Sequence, residues 1–221
     1  MAQKKVKVKL TLVETAYERL EELFITLKLP PGSTWSEEQL SALVNIGRTP
    51  VREAILRMAG DNLLTVIKRA GIVVAGASLH EQLLVLETAR ELESLVALKA
   101  ARRALDAERD RLMVLADSVE KIAAEGDVAK YLKVQLDIKN CVAAASRNVY
   151  ASRALAPLNI MSQRFYYMYH RQLNNLTVMG TALAELTRAI ASGDEAKVAS
   201  HNAVLGDILE KFTKNLILNL S

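Results

Sequence analysis

Two arginines, Arg48 and Arg52, lie four residues apart in the segment RTPVREAI, where they could read nucleic acid. Residues four apart on a helix share one face. A guanidinium group can donate two hydrogen bonds to O6 and N7 of guanine, or it can clamp a phosphate. Pro50 suits the first position of a helix, and Thr49 suits the cap before it. The pattern is typical of the end of a helix that enters the major groove, whereas a solvated amphipathic helix is the alternative for the arginines alone.

The segments before these arginines predict two further helices. Residues 10–29 carry apolar side chains at helical spacing after a capping box of Thr11 and Glu14, and the following PPG would stop this helix. Ser36 and Gln39 form a second capping box at the start of a short helix. The arginines therefore belong to the third helix of the chain.

A tight turn and a hairpin complete the first predicted domain. Asn45 tolerates the left-handed conformation that a turn between two helices needs, so the order is helix, turn, recognition helix. After the third helix, LLTVIK and GIVVAG indicate two strands, with Gly71 at the sharp position between them and Lys68 and Arg69 at a basic tip. Three helices and a small β-hairpin predict a winged helix-turn-helix over residues 1–77.

The rest of the chain, residues 78–221, shows helical patterns and no strand pattern. Ser78 and Glu81 form a third capping box, which opens a long helix. The helical patterns cover residues 78–103, 107–124, 128–146, 150–172, 178–192 and 195–218. Six helices of this length can bury their apolar stripes only against one another, so the sequence predicts a mainly α protein with an all-α bundle as its second domain.

Composition and charge are those of an ordinary globular protein. The 221 residues are 51% hydrophobic, with a net charge of +4, and can bury a substantial core. Residues 1–77 hold eleven Lys and Arg against eight acids, so the local placement of charge matters more than its total. The basic start lacks the apolar run of a signal peptide, and no segment approaches the ~20 apolar residues of a membrane span. The single cysteine, Cys141, excludes an internal disulfide, and a cytoplasmic location is expected.

The first third of the chain resembles the GntR family of transcriptional regulators. The resemblance lies in PPG at residues 30–32, EEQLSALVNIGRTPVREAILRM at residues 37–58 and KRAGIVV at residues 68–74. Gly47 stands where the family usually has Ser or Thr, and Asn45 replaces the usual turn glycine, so the operator contacts would differ. The resemblance implies that the DNA-contacting residues are Arg48, Thr49 and Arg52 on the helix and Lys68, Arg69 and Gly71 in the wing.

The second part resembles the FCD ligand domain of the FadR-like branch of that family, through LDIKNCVAAASRN, the AIASGD turn, its length and its helix count. In that branch an Asp and three His bind a divalent metal, which helps to hold a carboxylate effector. Asp137 matches the acid, but Cys141, Leu183 and Leu205 stand at the three His positions. Ala89 stands where the family has an Arg. Because this chain departs from the family's metal ligands at these three positions, we expect it to hold no resident metal or other cofactor.

Five residues remain as candidates for an effector site. His201 lies one helical turn before Leu205, and Arg164 is the candidate counter-charge for an acidic ligand. The full set is Asp137, Cys141, Arg164, Tyr167 and His201. The alternatives are a His201 that is hydrogen-bonded or exposed, a Cys141 that is a small apolar residue, and an Arg164 at the surface beside core or dimer tyrosines. A displaced metal site of Asp137, Cys141 and His201 also stays open.

These patterns together predict a dimeric transcription regulator, most simply a repressor that reads a short palindrome in double-stranded DNA. The helical bundle would form the homodimer and bind a small carboxylate effector, which changes operator affinity by preferring one packing of the bundle. A constitutive DNA-binding protein with a decayed pocket is the alternative. An enzyme is not expected, because the sequence shows no nucleophile paired with a base, no phosphate loop and no intact metal set.

Overall fold

The computed structural model describes residues 10–172 and 176–220. The basic start of the chain, residues 1–9, lies outside the described residues. The chain divides into two compact units, Met1–Gly76 and Ala77–Ser221.

The described residues of unit 1, from residue 10 onward, form three helices and three short strands. In chain order they are α1 (Leu12–Ile25), β1 (Thr34–Trp35), α2 (Glu37–Val44), α3 (Arg48–Gly60), β2 (Leu64–Ile67) and β3 (Gly71–Val74). The core is built from the buried faces of α1 and α3 and from the strands, with Leu20, Phe24, Val51, Ile55, Met58 and Ile72 among its members. This burial turns the opposite face of α3 to solvent.

Both predicted capping boxes of unit 1 are present. The Thr11 hydroxyl accepts from the backbone N–H of Glu14, whose carboxylate accepts from the backbone N–H of Thr11. Ser36 and Gln39 exchange the same pair of bonds at the start of α2. Reciprocal caps of this kind satisfy backbone donors that a helix leaves free.

The end of α1 differs from the prediction, because the helix stops at Ile25 and not at the PPG segment. Leu27 has a φ of 61°, in the left-handed region. This turn allows the N–H of Leu29 to donate to the carbonyl of Leu23 at 3.0 Å, and it carries the Leu29 side chain fully into the core. Burial of one leucine therefore outweighs continuation of the helix.

The predicted hairpin is part of a three-stranded antiparallel sheet with the order β1-β3-β2. Strand β1, which the sequence pattern did not indicate, pairs Thr34 with Val73 and Trp35 with Ile72. Gly71 begins β3 with a φ of 111° and does not occupy the sharp position of the turn, which Arg69 takes with a φ of 67°. A Cβ at Gly71 would lie 2.8 Å from the carbonyl oxygen of Trp35, so the close approach of β1 explains the glycine.

Unit 2 is a bundle of helices, close to the predicted ones in number and extent. They are α4 (Leu79–Arg103), α5 (Asp106–Glu125), α6 (Val128–Ser146), α7 (Val149–Met168), α8 (Leu176–Ser192) and α9 (Glu195–Leu220). The helix predicted to reach Gln172 ends at Met168 and is followed by a short 3-10 turn, His170–Gln172. The Ser78 and Glu81 capping box is present at the start of α4. No described helix is long and apolar enough to cross a membrane.

Small residues set the packing of the bundle. On α4 the buried face includes Ala89, Ala97 and Ala100, whereas Leu84 and Leu95 are exposed. Helices α5 and α8 pack together along their lengths. A Cβ placed on Gly180 of α8 would overlap the Cβ of Ala123 on α5, so only glycine allows this approach.

Candidate functional site

Helix α3 begins two residues earlier than the proline suggested. Gly47 is the N-cap, and no side chain of a described residue caps this end. The predicted cap at Thr49 and first helical position for Pro50 are therefore wrong, because they occupy the second and third positions. Proline is accepted there because the backbone N–H groups of the first turn have no partner within the helix. Free N–H groups at this end favour an anion such as a phosphate.

The turn into α3 is held by hydrogen bonds from both neighbouring helices. Asn45 has φ and ψ of 50°, the left-handed conformation that the sequence predicted. The Ser41 hydroxyl donates to the carbonyl of Ile46. Nη1 of Arg19 on α1 donates to the carbonyl of Val44 at 2.5 Å. These contacts help to fix the angle between α2 and α3, and with it the direction of α3.

Both arginines at the start of α3 are exposed and held by acids from α2. Nη2 of Arg48 lies 2.6 Å from Oε1 of Glu38. Nε and Nη2 of Arg52 donate to the carboxylate of Glu37 at 2.8 to 3.0 Å. These hydrogen bonds raise the pKa of Arg52 above its ordinary value. The edge of Arg52 formed by Nη1 and Nη2 keeps free donors, so Glu37 orients the group without using all of it.

The sequence interpretation did not include Glu37 and Glu38 as partners of the arginines, although acids are common at their position in a helix. Glu37 and Glu38 follow the Ser36 cap directly, and the first turn of α2 is where acids favour the helix dipole. A groove of about 370 Å³ lies beside this turn and includes Gly47 and Arg48 in its wall. The groove therefore adjoins the free start of α3 at Gly47 and Arg48.

The wing presents its basic residues to solvent. Lys68 and Arg69 are exposed, and neither forms an ion pair with another residue of the described part of the chain. Gly71 is half-buried and supports the strand pairing. Two uncompensated cations at the tip of a hairpin suit contact with a phosphate backbone.

A cavity of about 60 Å³ lies inside unit 2. Its wall comes from five helices: Glu93, Val96 and Ala97 of α4, Ile138, Lys139 and Val142 of α6, Leu155 of α7, Leu183, Leu186, Thr187 and Ile190 of α8, and Asn202 and Leu205 of α9. Leu183 and Leu205 stand where the family is expected to have metal-binding histidines, and both line this one cavity. Apolar side chains form most of the wall.

None of the five predicted effector residues is in this wall. Asp137 and Cys141 each precede a wall residue of α6, and one step along a helix rotates a side chain by about 100°. His201 likewise precedes Asn202, and its Nδ1 lies 3.5 Å from Oε2 of Glu185. Burial raises the pKa of the half-buried Cys141 thiol. The structure thus does not bring Asp137, Cys141 and His201 together at the cavity.

The other two predicted residues lie towards the end of α7. Arg164 is 1% exposed, so the alternative that placed it on the surface is wrong. Burial lowers its pKa to about 10, and Glu81 opposes this shift. Tyr167 is half-buried, with its ring 5.9 Å from that of His170. Their role as effector contacts stays a prediction.

The polar groups in the cavity wall are ones that the sequence did not single out. Nζ of Lys139 donates to Oε1 of Glu93 at 2.8 Å and to Oδ1 of Asn159 at 2.7 Å. The Thr187 hydroxyl donates to the carbonyl of Leu183 at 2.7 Å. Asn202 is 8% exposed, and its side chain has no hydrogen-bond partner among the described residues. Within residues 10–172 and 176–220 no three His, Cys, Asp or Glu side chains are grouped to hold a metal.

Two family profiles match the chain. Residues 12–74 match the bacterial regulatory proteins of the gntR family, and residues 84–207 match the FCD domain. Two curated relatives are HTH-type transcriptional regulators described as uncharacterized. One, from an unstable DNA locus of Streptomyces ambofaciens, is 37% identical over 59 residues, which are 27% of this chain and 25% of the relative. The other, from the TAR-I ttuE-ttuC' intergenic region of Agrobacterium vitis, is 26% identical over 112 residues, 51% of this chain and 66% of the relative.

Solved structures agree in fold. McbR/YncC of E. coli superposes with a TM-score of 0.81 at 16% identity, covering 95% of this chain and all (100%) of that chain. A GntR transcriptional regulator of Rhodococcus sp. RHA1, itself described as a putative one, superposes with a TM-score of 0.64 at 16% identity, covering 93% and 97%. Identities this low show the fold, and the function is argued from the site.

Proposed function

The chain belongs to the GntR family of bacterial regulatory proteins and carries an FCD domain, so it is a DNA-binding transcription regulator, and we propose that it is a dimeric repressor. A small molecule bound in the bundle would set its affinity for the operator. The observation that carries the DNA-reading part is the exposed start of α3. There Arg48 and Arg52 stand on one face, oriented by Glu38 and Glu37. Family and fold are those of regulators and not of enzymes.

The recognition step follows from the geometry of the arginines. Glu37 occupies the Nε side of Arg52, so the Nη1 and Nη2 edge is free to donate to O6 and N7 of a guanine. Arg48 would exchange its exposed bond to Glu38 for a phosphate or a base, and an exposed ion pair costs little to open. Thr49, at the free N-terminus of α3, would contact a phosphate together with the backbone.

The wing adds affinity with little sequence preference. Lys68 and Arg69 at the hairpin tip would contact phosphates beside the recognition helix. Gly71 would act indirectly, because it lets β1 and β3 approach closely and so holds the hairpin in place. We therefore assign base recognition to α3 and non-specific phosphate contacts to the wing.

Dimerisation and sensing are assigned to unit 2. Two winged helices on a dimer would read the two halves of a palindrome, and a promoter covered in this way is closed to polymerase. For the carboxylate effector that the FCD resemblance implies, Lys139 is the cation of the cavity wall, and it would have to exchange Glu93 for the ligand. A constitutive regulator with a decayed pocket is the second candidate, because Leu183 and Leu205 replace the expected ligands.

The experiment begins with operator selection from random duplexes, using the full chain, followed by anisotropy titration of the selected site. The selected palindrome is then placed at the promoter of a reporter gene. Lower expression when the protein is present supports the repressor. Higher expression would make it an activator. Absence of any selected sequence would contradict the proposal.

Thermal shift against a small-molecule panel separates the two candidate functions. A sensor gains stability from a ligand that binds its folded state, and the same ligand should change operator affinity in the titration. A protein that binds its operator and responds to no ligand would be the constitutive regulator.

A further inference from the structure

We infer that the cavity of unit 2 selects a small, mostly apolar ligand without net charge, whose one polar group is an amide or a hydroxyl that pairs with Asn202. This inference rests on the proposed function, since it names the class of effector that the regulator would sense, and it replaces the carboxylate that the FCD resemblance implies with a neutral ligand. The cavity of about 60 Å³ has room for only a few non-hydrogen atoms. Nine of its thirteen wall residues are apolar, so the body of the ligand must be apolar as well.

The charges of the wall cancel. Lys139 and Glu93 are the only charged side chains among the described residues of the wall, and they pair with each other at 2.8 Å. Their side chains are only 20% and 26% exposed, and Asn159 accepts a further hydrogen bond from Lys139. An anionic ligand would gain Lys139 only by sharing it with Glu93, whose own charge would repel it. Burial of such a charge is costly without a partner of its own, so the paired wall favours a neutral ligand.

The position of the polar group is given by Asn202. This side chain is 92% buried, faces the cavity, and has no hydrogen-bond partner among the described residues, although a buried carboxamide can donate twice and accept. On α8 the Thr187 hydroxyl donates to a backbone carbonyl, which leaves its oxygen able to accept. An amide or alcohol satisfies both partners, because it offers a donor and an acceptor together. A pure hydrocarbon would leave Asn202 unpaired.

The test compares two small probes of the same shape and different charge, propanamide and propanoate, on the full chain. Isothermal titration should show the amide binding about tenfold or more tightly than the acid, since only the acid must place a charge beside Glu93. Equal or tighter binding of the acid overturns the inference. Failure of both probes to bind at millimolar concentrations overturns it as well.

Three variants identify the groups responsible. In Glu93→Gln the wall carries the single charge of Lys139, so preference should shift towards the acid, whereas Glu185→Gln removes a carboxylate of α8 outside the wall and should leave the preference unchanged. Asn202→Leu should reduce amide binding about tenfold while its circular dichroism melt stays cooperative. Unchanged preference in Glu93→Gln, or unchanged amide binding in Asn202→Leu, contradicts the inference.

Operator binding by the ligand-free protein is measured in parallel. If the operator is bound and the amide is not, the inference about the ligand fails and the DNA-binding function stands. If no operator is bound, the proposed function itself fails, whatever the cavity binds.

Discussion

At the scale of single residues, the side chains that we propose to read DNA and those that line the cavity differ in how far the sequence could predict them. Arg48 and Arg52 could be identified because their spacing alone places them on one helical face. The partners that orient them, Glu37 and Glu38, come from another helix, and only the angle between the two helices brings them into reach. Contacts across elements of this kind have no signature in local spacing.

Arg48→Ala and Arg52→Ala should each weaken specific operator binding and leave the fold intact, because both side chains are exposed. Loss of a base-reading arginine should cost roughly 1–3 kcal/mol and relax sequence preference, whereas loss of a phosphate contact should lower the salt slope by about one. Lys68→Ala and Arg69→Ala should act more weakly. Anisotropy titrations at several salt concentrations measure both effects.

Arg153→Ala is the control for these variants, because Arg153 is an exposed arginine of α7 in the other unit. It should bind operator like the parent. Parent-like binding by Arg48→Ala and Arg52→Ala would instead remove α3 from the recognition role.

We expect the protein to purify without stoichiometric zinc, nickel or manganese, and chelator to leave its melting temperature unchanged. Leu183 and Leu205 offer no ligand atoms, and Asp137 and Cys141 do not reach the usual four ligands of a structural or catalytic zinc site. Elemental analysis of protein purified without chelator is the measurement. About one metal per chain would contradict this expectation and direct attention to Asp137, Cys141 and His201.

At the scale of elements, local chemistry was predictable and tertiary pairing was not. The three capping boxes act over three residues, so the sequence contains all of their parts. Strand β1 exists only because Thr34 and Trp35 meet β3, far along the chain, and α1 ends early only because Leu29 has a place in the core. Each miss reflects a distant contact that overrides a local preference.

The rotation of α6 explains why the cavity residues were missed. This helix carries apolar residues on more than one side, with Val134 and Leu136 half-buried and Ile138 and Val142 buried. The pattern therefore predicts a helix without fixing which side faces inward. The predicted contacts, Asp137 and Cys141, lie one position before the residues that line the wall.

Helix α1 should make unit 1 less stable as the pH rises from acid towards neutrality. Burial raises the pKa of Glu21 to about 7, with a further contribution from Glu18 and an opposing one from Arg57. A folded-state pKa above the unfolded value means that the stabilising contribution is complete in acid and is lost as the pH passes the folded pKa. The free energy of unfolding should thus fall between about pH 4.5, the ordinary pKa of a glutamate, and about pH 7, and should level off above it.

Glu21→Gln should remove this pH dependence and make unit 1 more stable than the parent above neutral pH. Trp35, the single tryptophan of the chain, reports unfolding of this unit by fluorescence. Glu22→Gln, an exposed neighbour on α1, should keep the parent's profile. A Glu21→Gln profile that coincides with the parent's would show that Glu21 does not titrate in this range.

At the scale of the whole molecule, the chain divides into two compact units. Each unit has its own core, and the boundary at Gly76 follows the last strand closely. The assignment of DNA reading to the first unit and of dimerisation and sensing to the second is our proposal. It has a direct consequence for fragments of the chain.

The helical fragment, residues 77–221, should fold alone as a dimer and keep the ligand response, whereas residues 1–77 should bind operator poorly. One winged helix covers a half-site, and joining two on a dimer makes the second contact effectively intramolecular. Light scattering and operator titration of both fragments are the measurements. A monomeric helical fragment, or a first fragment that binds as tightly as the full chain, would show that dimerisation lies elsewhere.

The close approach of α5 and α8 at Gly180 has a mechanical consequence. Two helices that interlock through a glycine and an alanine cannot slide along each other without steric overlap, so they behave as a rigid frame. The cavity borders α8 and draws none of its described wall from α5. A guest that needs more room therefore has to push α4, α6, α7 or α9 away from this frame. Helix α4 begins only a few residues after β3, the last strand of the wing. Outward movement of α4 would therefore also move the short segment that connects β3 to the bundle.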